Sequence, residues 1–311
     1  MEALLYRSHA QASSTLIAVP GLHPDGIYDP RFVAFASACT AAGFQVVALD
    51  VREFREFSIT LGSVDLIAAL VRSLPKYLPE DSMRSLGLLG ISYGAGPIFL
   101  AAALPEVRKR VHFLISIGGY FNLSHATDFV LTGLHGSEPP VADRVPQQWG
   151  RMIFALNHMD VLVPGTDRAG IGEIFRLRLR LQDQEANQKE SGLSGEGLHF
   201  LRNVLEGLPP EELQRFREVL RSHKELFDRL SPETIIEKLD PKIRIYLLHG
   251  RSDDLIPFEE TQELERALQA RQLDIRSLVT ASLTHVDVRT GGDVWSAFRM
   301  LRWIGAVLRE T

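Results

Sequence analysis

Residues 87–96 read GLLGISYGAG. An apolar run, LGLLGI, stops at Ile91, a serine follows between two glycines, and a second apolar run begins at once. The first run, apolar throughout, fits a strand buried on both faces, and the second, from Tyr93 onward, fits a helix. A strand that turns directly into a helix leaves almost no room for side chains. In Gly90-Ile91-Ser92-Tyr93-Gly94 the flanking glycines relieve that crowding, while Ser92 is held exposed at the end of the strand in a strained backbone conformation. With 24 glycines in 311 residues, the pattern G-x-S-x-G arises by chance roughly 0.1 times in such a chain.

Outward from this turn, further apolar runs stand at 15–20 (TLIAVP), 45–50 (QVVALD), 111–117 (VHFLISI), 243–249 (IRIYLLH) and 274–280 (DIRSLVT), all read as strands buried on both faces. Helical periodicity falls between or after them, at 30–42, 63–74, 93–103, 258–271 and 293–309. Asp29 before Pro30, and Ser63 before an apolar-periodic run, supply N-cap oxygens. Strand and helix in alternation predict an α/β fold: a mostly parallel sheet, joined by right-handed crossovers and flanked by helices.

One interval breaks the alternation. From 122 to 240 no buried strand is evident, but helical segments are predicted near 124–134, 146–158, 170–188, 197–207, 210–229 and 232–239, punctuated by Pro139-Pro140 and Pro209-Pro210. Residues 1–121 and 241–311 therefore form the core, and 122–240 an inserted helical cap, with hinge positions at Gly118-Gly119 and Pro241. The piece IFRLRLRL also alternates like a strand, and is read as helical.

Composition narrows the function. The net charge is −5, the hydrophobic content 45%, and no block of five or six like charges occurs, which speaks against a nucleic-acid groove or a polybasic membrane patch. The lone Cys39 can form no internal disulfide and reads as a small buried hydrophobe. MEALLYRSHAQ lacks the layout of a signal peptide, and the longest nearly apolar stretch, Ile91–Leu104, is too short to span a bilayer. The expectation is a cytoplasmic protein acting on a small molecule.

A serine hydroxyl becomes a nucleophile only when a base removes its proton, and the base needs a carboxylate to orient it. The strand IYLLH runs into GRSDDLIP, placing Asp253 and Asp254 at its C-terminal end, and the next strand leads through LVTASLTHVD to His285. Three loops thus bring Ser92, an aspartate and His285 to one rim of the sheet, where open parallel sheets bind ligands. The oxyanion of a tetrahedral intermediate also needs donors. Tyr93 offers its backbone N–H, and in PGLHPDG the N–H of Leu22, or of His23 beside it, offers a second next to Gly21. The side chains of the other histidines, His9, His23, His112, His125, His135, His158, His199, His223 and His249, are read as structural or surface groups.

Together, VPGLHPDG, GISYG, HGRSDDLIP and LTHVD resemble the α/β-hydrolase superfamily over nearly the whole chain, in the manner of a serine esterase or lipase with a helical cap. The resemblance implies Ser92 as nucleophile, Asp253 as acid with Asp254 the runner-up, His285 as base, and Leu22 and Tyr93 as oxyanion donors. It implies no cofactor and no metal. Two departures stand out: Pro20 replaces the histidine many members carry before the oxyanion glycine, and a single strand, about 3–8, precedes TLIAVP where the full fold has two. The sheet is therefore expected to be shortened at its N-terminal edge. The expected activity is hydrolysis of a carboxylic ester or related acyl bond, with a partly apolar acyl substrate held between rim and cap. The alternatives are a cofactor-free carbon–carbon bond hydrolase using the same three residues, and a non-catalytic ligand-binding module of the same fold.

Overall fold

A computed structural model describes residues 2–8, 14–135, 148–163, 165–285 and 294–311. His9 and the Pro139-Pro140 pair lie outside the described residues. Seven strands form one sheet: β1 (Glu2–Tyr6), β2 (Ser14–Val19), β3 (Phe44–Asp50), β4 (Ser85–Ile91), β5 (Phe113–Ile117), β6 (Arg244–Gly250) and β7 (Asp274–Thr280), in the order β1-β3-β2-β4-β5-β6-β7. All neighbours pair in parallel except β1, which runs antiparallel along β3 from Glu2 opposite Asp50 to Tyr6 opposite Val46. One strand, and no more, precedes β2 among the described residues, at the edge where a shortened sheet was expected.

The order of strands sets where a ligand can enter. From β2 the chain steps outward to β3, then jumps back over β2 to β4 and proceeds the other way to β7. The direction reverses between β2 and β4, so their C-terminal ends open onto a crevice. Residues 20–22 and Ser92 emerge there, on the loops that leave β2 and β4.

Alternate residues along the central strands pack on opposite faces. Ile17, Val19, Val47, Leu49 and Leu88 point into one apolar cluster, and Leu16, Ala18, Val46, Ala48 and Leu89 into the other. Helix α1 (Pro30–Ala41) covers the second face with Phe32 and Ala36. It starts as its sequence demands, since the Asp29 side chain accepts a hydrogen bond from the Arg31 N–H (2.9 Å) and Pro30 takes the first helical position. Helices α2 (Gly62–Ser73) and α3 (Ala95–Ala102) pack on the first face.

Two details of the expected framework are corrected. Ser63 does not cap α2: the helix begins one residue earlier, Thr60 Oγ1 accepts from the Gly62 N–H (3.2 Å), and the Ser63 hydroxyl is buried with no hydrogen-bond partner among the described residues. Strand β7 is not buried on both faces either. Asp274 and Arg276 are exposed and only Leu278 and Thr280 are buried, because β6 is its single neighbour in the sheet.

Between β5 and β6 the described chain is helical: α4 (Leu123–Thr132), α5 (Gln148–Asn157), α6 (Arg168–Leu179), α7 (Asp183–Glu190), α8 (Gly195–Glu206) and α9 (Pro210–Ser222), then a short helix Lys224–Arg229 and a 3₁₀ segment Pro232–Lys238. Their buried faces, including Phe129, Phe154, Ile174, Phe200 and Phe216, belong to the same apolar cluster as the first face of the sheet. IFRLRLRL lies in α6 up to Leu179, and in that helix Ile171, Ile174 and Phe175 turn inward at helical spacing and Arg178 pairs with Glu190 of α7 (2.5 Å). The single helix expected over 170–188 is two, separated where Leu181 adopts a left-handed φ of 59°. The 210–229 segment likewise divides at His223. After β6 come α10 (Phe258–Ala270) and, following β7, α11 (Val294–Glu310), whose Trp303 and Val307 complete the cover of the second face.

Candidate active site

Ser92 follows β4 directly and opens a single 3₁₀ turn, Ser92–Gly94, that leads into α3. Its φ is +54°, one of four positive values among non-glycine residues described, and such backbone strain concentrates where function requires a fixed side chain. The next residue anchors the turn. Tyr93 is buried, its ring edge-on to Phe54 (centroids 5.1 Å apart) and stacked on Tyr120 (5.9 Å). Burial, with Glu53 as a second cause, pushes the Tyr93 hydroxyl far above its ordinary pKa.

Across the crevice, Gly21 presses against the serine. A side chain there is excluded: a Cβ on Gly21 would stand 2.9 Å from Ser92 Cβ and 3.3 Å from its Oγ. This contact brings the loop after β2 alongside the elbow. Among the described residues, neither the Leu22 nor the Tyr93 backbone N–H donates to a protein acceptor, so both are free for an external one. The His23 ring turns to Asp29, 3.5 Å from its carboxylate, and accepts from the Asp25 N–H (3.3 Å), which leaves the His23 backbone N–H as the alternative donor to that of Leu22.

His285 and Asp253 reach Ser92 from the loops that follow β7 and β6. His285 Nε2 lies 2.6 Å from Ser92 Oγ, and His285 Nδ1 lies 2.7 Å from Asp253 Oδ2. The carboxylate fixes the tautomer. Nδ1–H donates to Asp253, which leaves Nε2 as an acceptor for the serine hydroxyl. Gly118, with φ +61°, gives His285 its room, since a Cβ there would lie 2.9 Å from the His285 carbonyl oxygen. The imidazole is mostly covered, its side chain 14% exposed, and the Asp253 side chain is fully buried.

A fully buried carboxylate persists only when its lone pairs are filled. Asp253 Oδ1 accepts from the N–H groups of Leu255 (2.9 Å) and Ile256 (2.8 Å), and Oδ2 accepts from His285 and from His249 Nε2 (3.1 Å). Burial alone raises its pKa; the charge of His285 and the hydrogen bonds from His249 and His285 outweigh that and hold the carboxyl below the usual carboxylate range. The runner-up acid, Asp254, is partly exposed, and the carboxylate facing His285 is that of Asp253.

His249 is the residue that sequence reasoning passed over. It lies fully buried one residue before the end of β6, with Nε2 facing two acceptors, Asp253 Oδ2 and the Ile256 carbonyl oxygen (3.0 Å), so Nε2 carries the proton. Nδ1 then accepts from the Thr261 hydroxyl (2.6 Å). One signal was available: a histidine inside a buried strand, four residues before the acid, needs polar partners.

A recess of about 370 Å³ within the helical stretch is lined by Leu131, Leu134, Arg151, Gly207 and Arg217, among others, and by no residue of the Ser92 site. No described helix is long and apolar enough to cross a membrane.

No protein-family model and no curated protein matches this chain. Solved structures do. Esterase B from Lactobacillus Rhamnosis is similar at 14% identity and a TM-score of 0.55, covering 99% of this chain and 81% of that one. Acylaminoacyl peptidase from Pyrococcus horikoshii aligns at 12% identity and TM-score 0.52, covering 97% of this chain and 37% of its own. Dipeptidyl peptidase 4 from Porphyromonas gingivalis aligns at 10% identity and TM-score 0.54, covering 99% and 33%. The chain thus spans well under half the length of the peptidases it resembles.

Proposed function

This chain has the α/β-hydrolase fold, and from that premise we propose that it is a serine hydrolase cleaving a carboxylic ester or related acyl bond, with residues 122–240 as its cap. The observation that carries the reading is the hydrogen-bonded line Ser92 Oγ, His285 Nε2, His285 Nδ1, Asp253 Oδ2, with steps of 2.6 and 2.7 Å. These are the distances over which a base takes a hydroxyl proton and a carboxylate steadies the resulting imidazolium.

In the first half-reaction Ser92 Oγ bonds to the acyl carbonyl carbon as its proton passes to His285 Nε2. The carbonyl oxygen becomes an oxyanion, received by the N–H groups of Leu22 and Tyr93, each worth about 10²- to 10³-fold in rate. Collapse breaks the bond to the alcohol, whose oxygen takes the proton from His285, leaving an acyl-serine. Water then gives a proton to the same nitrogen as its oxygen bonds to the acyl carbon, and collapse breaks the bond to Ser92 Oγ, which takes that proton back from His285, releasing the acid and free Ser92. Asp253 stays ionised throughout. The scheme calls for no cofactor.

Ester cleavage is preferred over peptide cleavage because, among these solved structures, the esterase is the one whose length this chain nearly fills. A fluorophosphonate probe tests the reading. Covalent labelling of wild type at Ser92, abolished in Ser92→Ala, together with turnover of short-chain aryl esters, is the expected result. No labelling and no turnover would leave a ligand-binding module of the same fold. Parallel assays on thioesters, peptides and diketones place the scissile bond.

A further inference from the structure

A second polar cluster lies where the helical stretch meets the core. His125 stands in the first turn of α4, His135 shortly after that helix ends, and Glu260 and Glu263 one turn apart on α10. Each offers one nitrogen or carboxylate oxygen, and the four atoms all lie within 4.8 Å of one another. His135 Nε2 is 2.8 Å from Glu260 Oε1, and His125 Nδ1 is 3.9 Å from that oxygen and 3.8 Å from Glu263 Oε2. The two imidazoles stand nearly perpendicular, with centroids 6.0 Å apart.

Glu260 is the fixed point. Its side chain is fully buried, and Oε2 accepts from the N–H groups of Phe121 (2.9 Å) and Asn122 (2.7 Å). With one oxygen tied to the backbone, the other is aimed at the histidines, the arrangement by which outer hydrogen bonds orient a ligating carboxylate. A carboxylate so completely removed from water calls for a positive partner, and no lysine or arginine among the described residues is paired with it. The buried pair Glu260 and His135 is joined by two side chains reachable from solvent: the His125 side chain is 55% exposed and that of Glu263 29%.

We propose that His125, His135, Glu260 and Glu263 bind one divalent transition-metal ion, zinc by the chemistry of the donors, as a structural site. Two imidazole nitrogens with two carboxylate oxygens make a borderline donor set that suits Zn²⁺ better than Ca²⁺ or Mg²⁺. Metal–ligand bonds of about 2.0–2.2 Å in a tetrahedron put donors roughly 3.3–3.6 Å apart, a value inside the 2.8–3.9 Å range of the three measured separations. Rotation of the half-exposed His125 and Glu263 side chains closes the wider pairs. Four protein ligands leave no open position, which makes the ion a staple and not a reaction centre. It would clasp α4, the first helix after β5, to α10 of the core, beside the backbone of Phe121 and Asn122 that Glu260 already holds.

The test uses the full chain, stripped with a chelator and dialysed. Zinc added and then desalted should remain at one ion per chain by elemental mass spectrometry, and should raise the melting temperature. Cobalt in its place should give the visible d–d bands of a tetrahedral site. His125→Ala and Glu263→Gln change half-exposed side chains and should keep the wild-type circular dichroism; each should weaken zinc binding by about tenfold or more, the loss already seen when outer-shell partners alone are removed. The double variant should retain no ion. Equal zinc retention by wild type and double variant, or none by either, overturns the proposal, and neither result bears on labelling of Ser92.

Discussion

His249 and His285 share one oxygen of Asp253: Oδ2 receives the His285 Nδ1–H at 2.7 Å and the His249 Nε2–H at 3.1 Å. The orientation of the His285 imidazole is therefore set through a carboxylate that a second, fully buried imidazole holds in place. A hydrogen bond to a charged group contributes about 1.5–3 kcal/mol. In His249→Leu that donor is gone, and stability should fall by about this amount. The Asp253 charge, no longer drawn toward His249, should bind the imidazolium of His285 more strongly. The acid limb of kcat/KM should accordingly move to higher pH, with His249→Asn, which can still donate, between the two. An unshifted limb alongside lost stability would reduce His249 to a packing residue.

Asp253 and Asp254 are separable by a single pair of variants. In Asp253→Asn the amide oxygen can still accept from Leu255 and Ile256, but the NH₂ then confronts the N–H groups of His285 and His249. The His285 tautomer must flip, its Nε2 can no longer accept from Ser92, and kcat should drop by about 10³- to 10⁴-fold. Asp254→Asn should stay within about twofold of wild type. Equal losses in both variants would remove Asp253 from its assigned role.

The rim of the sheet was legible because strands buried on both faces announce themselves as unbroken apolar runs, so the residues just after them are known to lie at one edge. Ser92, between its two glycines, and His285 follow from the elbow and the strand ends; the strand end offers Asp253 and Asp254 alike, and only the family resemblance prefers Asp253. Features that depend on the neighbours of an element are different in kind. DIRSLVT reads like the inner strands, yet β7 is an edge strand in which Asp274 and Arg276 are exposed and only Leu278 and Thr280 are buried. The break at Leu181 falls in a charged, uninterrupted helical pattern, with neither glycine nor proline to mark it. Glu260 stands four residues before Leu264 and eight before Leu268, on the inner face of α10; what its spacing does not show is the backbone of Phe121 and Asn122, distant in sequence, that comes to meet its carboxylate.

Gly21 should tolerate no side chain without cost to activity. The Cβ of Gly21→Ala would stand 2.9 Å from Ser92 Cβ and 3.2 Å from the Ile91 carbonyl oxygen, and both belong to the elbow, which has no slack. Overpacking of this kind costs about 1–3 kcal/mol. Relief requires the loop that carries Leu22 to retreat from Ser92, which draws one donor away from the oxyanion position. A fall in kcat of about 10²-fold is expected, larger than any change in KM. Melting temperature and kinetics together check this, and a variant with wild-type kcat would show that the loop after β2 supplies no donor.

His158 makes stability depend on acidity through a group far from the chemistry in sequence and role. Its buried ring lies 4.6 Å from Phe154 and 4.4 Å from His223 between centroids, with Phe227 at 6.3 Å. Burial first, and the neighbouring His223 second, lower its pKa from 6.5 to about 4, against a smaller opposing pull from Asp160. The unfolded chain therefore binds a proton that the folded chain refuses, over the window between those two values. In that window stability must rise with pH: this contribution is complete above about 6.5 and is lost as the pH falls toward 4. One such group removes roughly 2 kcal/mol between pH 7.5 and pH 5. In His158→Phe the proton site is absent and the ring still packs on Phe154 and Phe227, so chemical denaturation at those two pH values should show a stability loss smaller than that of wild type by about this amount. Identical losses in the two proteins would mean that His158 is protonated in the folded state as readily as in the unfolded one.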